Sequence, residues 1–385
     1  MESGTSSIKF AAAYAAMCLM GANIQLLTPI SGDLKDAMGL SFTQVGILMG
    51  IVSLPGIFAS LPAGKAGETF GRKAMLIAGI ALLIPGAVLF PLFRSYEWSV
   101  AARIFAGTGC SLISVFAPGL AGESQDEGRR AAAMGIFNTA LPAGSILTLT
   151  FYNRISGMTG LFESFYVAAV AAAAVGLLVM FTPSPGTKGE RAAKRALRIP
   201  APHATIPISA AVLFANFASM GYVTTAPLYF RDLDVPWSVR GTMLSAALWG
   251  AVVFAPIAGK IIERTGRAAE IMIAGMATQG IGLIATAAGA PIAASIAIFS
   301  VGAGIIMTPV YVILPQEAKG ETDMAFAFMI SAMMIGCLTG PYISGVMMDM
   351  GGYMLAFTSA GIFSIAGVIP LLFMKRQEKG EQKNK

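Results

Sequence analysis

Runs of roughly twenty apolar residues, separated by short clusters of charge, organise this chain from end to end. Twelve can be read, at approximately 8–30, 41–63, 73–93, 98–120, 130–154, 161–182, 204–230, 238–259, 269–287, 290–314, 323–346 and 352–374. At about 1.5 Å per residue, each is long enough to cross a hydrocarbon layer of about 30 Å. Each is expected to be a helix, because a segment in lipid has to satisfy its own backbone hydrogen bonds. A membrane barrel would need alternating strands of about ten residues, which this pattern lacks. The first run reads as a retained span and not a cleaved signal: it is too long, has no clear small-residue cleavage site, and completes an even number of crossings.

Composition agrees with the pattern. Hydrophobic residues make up 56% of 385 and charged residues only 12%, with a mean hydropathy of +0.72. A water-soluble domain of this length cannot hide so much apolar surface. With the N-terminus inside, the cytoplasmic segments hold 20 of the 26 lysines and arginines, so both termini are expected in the cytoplasm. The net charge of +6 then needs no nucleic-acid partner, because basic inner loops facing the bilayer account for it. Cys18, Cys110 and Cys337 fall within the runs without ligand spacing and read as small packing residues. The single histidine, His203, lies between the sixth and seventh runs, which leaves no histidine set for a metal site or a catalytic base. No phosphate-binding loop is present either, so neither a cofactor nor enzymatic chemistry is expected.

Two loops carry the same punctuation. Ala63-Gly64-Lys65-Ala66-Gly67-Glu68-Thr69-Phe70-Gly71-Arg72 and Ala258-Gly259-Lys260-Ile261-Ile262-Glu263-Arg264-Thr265-Gly266-Arg267 both read A-G-K-x-x-E-x-x-G-R. Each lies between the second and third run of its half, so the chain divides into two halves built on one plan. The expected organisation is an N-terminal six-helix bundle at 1–182, a cytoplasmic linker at 183–203 and a C-terminal six-helix bundle with a basic tail at 204–385. The linker opens on Pro183-Ser184-Pro185-Gly186 and continues as a basic stretch through Arg198. Prolines in the fifth and eleventh runs, Pro142 and Pro341, are expected to remove backbone hydrogen bonds and bend those helices.

These features resemble the major facilitator superfamily across essentially the whole chain. The family's loop signature is met by Gly64, Glu68, Gly71, Arg72 and Lys73, with Glu68 for the usual aspartate and Thr69 for the usual arginine. The second-half copy supplies Gly259, Glu263, Arg264, Gly266 and Arg267, and a further signature in the fourth run fits Arg103, Gly107 and Gly109. The helix-5 signature of drug-for-proton exchangers fails at Leu141, which precedes Pro142, while a counterpart at Gly336, Gly340, Pro341 and Gly345 fits better. The resemblance implies an all-α membrane fold of twelve helices in two pseudo-symmetric halves. It also implies a latch on the inner side stabilising the outward-facing state, with Glu68 and Arg72 expected to meet Arg129, Arg130, Glu321 or Asp323.

Arg103 is the sharpest single residue. A guanidinium inside a span is costly and normally faces a cavity or a partner. On a helical wheel it shares a face with Gly107, Ser111 and Ser114, whereas the equivalent position of the second half is Ile298, so packing symmetry does not call for an arginine. No aspartate or glutamate falls in the middle of a run by this reading, which favours an anionic solute held bidentately. Asn23, Gln25, Asn138, Asn216, Tyr222, Trp249, Thr308 and Tyr311 are further polar or aromatic candidates for the same site. The resulting expectation is a monomeric secondary transporter in the cytoplasmic membrane that moves a small organic or inorganic anion, alone or with protons, by alternating access. A proton-coupled multidrug efflux antiporter and a non-transporting solute sensor are the alternatives.

Overall fold

A computed structural model describes residues 2–58, 69–123, 133–134, 136–182, 199–318 and 321–374. Among them every regular element is helical. In chain order these are α1 (Glu2–Ile24), α2 (Ser31–Met38), α3 (Phe42–Gly50), α4 (Arg72–Phe93), α5 (Tyr96–Glu123), α6 (Ala140–Thr159), α7 (Ser164–Phe181), α8 (Pro202–Asp232), α9 (Trp237–Thr265), α10 (Ala268–Ala287), α11 (Ile292–Ala318) and α12 (Thr322–Ala366). Nine helical stretches among the described residues are long and apolar enough to span a membrane, and a shorter apolar one covers Phe42–Phe58. The last of the nine, Met324–Met374, has the length of two spans. It turns back within α12 at Gly351 and Gly352, where the backbone leaves helical geometry.

Three of the expected spans are interrupted, each for a local reason. The first, read as one helix to residue 30, stops as an α-helix at Ile24 and resumes as a single 3-10 turn at Thr28–Ile30. There Pro29 supplies no N–H, Thr28 Oγ1 donates to Gln25 Oε1 (2.9 Å), and Ser31 Oγ donates back to the Thr28 carbonyl (3.1 Å). The Ser31 hydroxyl thus takes a backbone carbonyl the helix would have used, and the Thr28 and Gln25 side chains pair with each other beside it. The second span tightens to a 3-10 turn at Ile51–Ser53, just before Pro55. The fifth is broken at Asn138–Thr139, and α6 begins at Ala140. Pro142 therefore sits in the first turn of α6, where no intrahelical bond is lost.

The chain divides into two compact units, Met1–Leu40 with Ile51–Arg195, and Ser41–Gly50 with Ala196–Lys385. The first is built around buried Leu76, Ile80, Leu83, Ile113, Phe137 and Val179, the second around Ile208, Val212, Met272, Met276, Val310 and Leu314. Helices within each unit approach to backbone distance over small residues. Gly79 of α4 lies against Gly109 of α5, and Gly275 of α10 lies against Gly302 of α11, so the two units repeat the same crossing. In the first unit Gly144 of α6 sits on the Cys18 backbone and Gly21 of α1 on the Leu141 carbonyl. Such contacts supply the dispersion that replaces a hydrophobic drive inside lipid. Cys18, Cys110 and Cys337 are all free thiols, buried or half-buried.

Candidate functional site

In the repeated loop the glycine before the arginine has a positive φ in both copies, 85° at Gly71 and 66° at Gly266. Gly71 precedes α4 and Gly266 ends α9. The pair of φ values explains why both copies of the motif keep glycine there: a Cβ at either site meets no neighbour, so conformation and not space is the constraint. With ψ at 146°, Gly71 occupies a region closed to other residues, and Gly71→Ala is expected to cost about 1–3 kcal/mol. Gly266, near the ordinary left-handed well with ψ at 8°, is expected to cost about 1 kcal/mol on the same change. Thermal melting of the two purified variants in detergent checks this order.

Around that common backbone the side chains differ. In the first unit Lys73 Nζ donates to the carbonyls of Met180 (2.8 Å) and Thr182 (2.6 Å), closing the C-terminus of α7 with a cation. Arg72 lies along α5 at Gly119, whose absent side chain leaves room for the guanidinium. In the second unit the residue at the same offset from the motif is Leu314, which is fully buried, and Ala268 stands where Lys73 does. Arg267, Glu263 and Arg264 are accordingly exposed. Gly259 faces Thr308 at ordinary contact distance. Gly64, Glu68, Arg129 and Arg130 lie outside the described residues, as does the side chain of Asp323.

Arg103 sits two turns into α5 and is 1% exposed. Its guanidinium reaches the interrupted first span, donating from Nη1 to the Asn23 carbonyl (3.1 Å) and from Nη2 to the Ile24 carbonyl (3.4 Å). These are the terminal carbonyls of α1; that of Asn23 also accepts from the Leu26 N–H (3.3 Å), and a cation there complements the helix dipole. The arginine and the helix break thus explain each other. Asn23 and Gln25 are themselves buried; the structure sets Arg103 against the Asn23 backbone, while the Gln25 side chain accepts from Thr28. The stripe below Arg103 is used for packing: Gly107 meets the Val52 carbonyl, and the Ser111 and Ser114 hydroxyls donate to carbonyls of α5 itself. Asn138 is exposed at the turn before α6 and joins no described contact with Arg103.

The candidates of the second unit are scattered. Asn216 donates to the Val212 carbonyl of its own helix (2.9 Å). Tyr222 is buried, with its ring stacked on Phe299 at 4.3 Å and its hydroxyl without a hydrogen-bond partner. Thr308 donates weakly to the Ala255 carbonyl (3.4 Å). Trp249 and Tyr311 are half exposed or more, at 50% and 60%. A buried network escaped the sequence reading: Gln279 Nε2 donates to Ser219 Oγ (2.7 Å) while its Oε1 accepts from Ser364 Oγ (2.8 Å). A glutamine inside an otherwise apolar run was the available signal. Among the described residues no cluster of histidine, cysteine or acidic side chains has the makings of a metal site.

The Major Facilitator Superfamily profile matches the sequence over residues 13–239 and 208–385. The chain belongs to the major facilitator superfamily. A mouse relative, protein spinster homolog 3, is 30% identical over 175 residues, which is 44% of this chain and 34% of that protein. The chain spans about a third of the length of this relative and about a fifth of the next two curated ones. An uncharacterized MFS-type transporter of Methanocaldococcus jannaschii is 21% identical over 372 residues, covering 92% of this chain and 95% of the other. The solved structure of a bacterial homologue of the human lysosomal transporter Spinster, itself inward-facing and occupied, superposes with a TM-score of 0.79 at 14% identity. That match covers 95% of this chain and 96% of the other. The helical fold is therefore that of the major facilitator superfamily, whose members are multi-pass membrane transporters of small molecules and not enzymes.

Proposed function

We propose that this superfamily member is a secondary active transporter of a small organic or inorganic anion, working by alternating access in the cytoplasmic membrane with both termini in the cytoplasm. The observation that carries the solute class is the Arg103 guanidinium inside the first bundle, aiming two N–H groups at neighbouring carbonyls. Those two groups form the fork that a carboxylate or phosphate engages bidentately, and an anion binds a guanidinium more strongly than neutral carbonyls do. In this conformation the fork is closed off from solvent. An anion that takes it has to displace the end of α1, so solute binding and movement of that helix end are one event. Differential binding of that kind is what a transported solute needs in order to shift conformational populations. The distribution of basic residues supports the orientation.

The test is uptake into proteoliposomes of a panel of monocarboxylates, dicarboxylates, phosphate and chloride, with and without an imposed pH gradient. Saturable flux of at least one anion, inhibited by its congeners, is the expected result. Absence of anion flux together with flux of cationic or neutral solutes overturns the proposal.

A further inference from the structure

The outer part of the second span, at the end away from the repeated loop, is held in an unusual way. Helix α3 carries its own capping box: Ser41 N–H donates to Gln44 Oε1 (2.9 Å), and Gln44 N–H donates to Ser41 Oγ (3.1 Å). That leaves the N–H groups of the first two helical residues, and both go to a single distant carboxylate. Phe42 N–H donates to Asp349 Oδ1 (3.0 Å) and Thr43 N–H to Asp349 Oδ2 (2.8 Å), while the Thr43 hydroxyl also donates to Oδ2. Asp349 is exposed, in the turn of α12 just before Gly351. Behind this cap α3 lies backbone to backbone on α12. Gly46 faces the Pro341 carbonyl, Gly50 faces the Leu338 carbonyl, and Gly345 faces the Phe42 carbonyl. Past the glycine turn, Tyr353 packs edge-on to Phe42 and donates to Asp232 Oδ2 at the end of α8 (2.6 Å).

Topology gives the arrangement its meaning. Residues Ser41–Gly50 pack as part of the second unit, although the chain on either side, through Leu40 and from Ile51, belongs to the first. The 3-10 turn at Ile51–Ser53 and Pro55 lie at the point where the allegiance changes. The short helix is thus capped locally, bounded by a 3-10 turn and held through its remaining donors by an exposed carboxylate.

We infer that Asp349 is a positioning residue for transport: it is a releasable clamp that docks α3 on α12, and its strength sets how often that segment lets go. The docked helix keeps its dipole and its two outermost N–H groups satisfied by Asp349, and the released helix keeps its capping box and gives those two groups to water. The inference depends on the protein being a transporter but not on the charge of its solute. Its readout requires no substrate.

Amide hydrogen exchange of the full chain in nanodiscs tests it, with Asp349→Asn and Gly345→Ala as variants. Asp349→Asn weakens the acceptor while keeping its shape. Gly345→Ala leaves the carboxylate intact but places a methyl group against the Phe42 carbonyl. Peptides covering 41–50 are expected to exchange about five- to tenfold faster in both variants, with α4 unchanged. Unchanged exchange at 41–50 in Asp349→Asn overturns the proposal, whether or not Gly345→Ala accelerates it, because packing alone would then hold the segment. Equal acceleration over α3 and α4 also overturns it, since the carboxylate would be supporting the whole fold and not a local clamp.

Discussion

Arg103→Ala is expected to abolish anion uptake, by 100-fold or more on an order-of-magnitude reckoning, and to lower the melting temperature of the purified protein. Two consequences of one deletion add here. The Ile24 carbonyl loses the donor that reaches it from α5 and the Asn23 carbonyl keeps only the Leu26 N–H, and leaving a buried acceptor short of partners costs about 1–3 kcal/mol. The solute also loses its fork. Arg103→Lys separates the two effects: a compact ammonium can still serve one carbonyl, so stability is expected to recover by about half the loss, on the order of 1 kcal/mol. A single point charge cannot reproduce two parallel hydrogen bonds, so uptake is expected to stay low with a raised KM. If Arg103→Lys restores stability and flux alike, the guanidinium is a helix cap and nothing more, and the anion assignment fails. Uptake kinetics and thermal unfolding of the same two preparations decide this.

The second large effect is structural. Gly144→Val is expected to destabilise the first unit by about 3 kcal/mol or more, because the new side chain would collide with the Cys18 backbone, which has no rotamer by which to yield. Gly157, also in the sixth helix but with open space around its missing side chain, is the control, and its change to alanine is expected to be neutral or slightly stabilising. Monodispersity on gel filtration and melting temperature distinguish the two. Equal behaviour would mean that α1 and α6 separate without penalty.

Much of the fold was legible from the apolar runs alone, since a span in lipid has few structural options. Several helices sit within a few residues of the expected runs, for example Arg72–Phe93 and Ala268–Ala287. What the pattern missed were breaks inside runs. Hydropathy is blind to them, because Gln25, Thr28 and Ser31 are too few to lower a window average yet are enough to redirect backbone hydrogen bonds. The repeat showed where the special loops lie, and the φ values of Gly71 and Gly266 explain its glycines. It did not show that the two loops bear different side-chain partners, which depends on Gly119 in one half and Leu314 in the other. Arg103 was recognisable as exceptional from its position in a span. Its partners were not, because main-chain carbonyls leave no trace in a sequence. The role of Asp349 was equally hidden: it pairs residues more than three hundred positions apart, and only the capping box at Ser41 and Gln44 was within reach of local reading.

Lys73, in the first turn of α4, is tied to the C-terminus of α7. Because its ammonium grips the last carbonyls of α7, the chain leaves Thr182 from a mooring fixed beside Gly71 and Arg72. Any rearrangement that tilts the start of α4 drags that mooring with it. The last residues of α7 are thereby tethered to the first turn of α4, so a displacement at one is felt at the other.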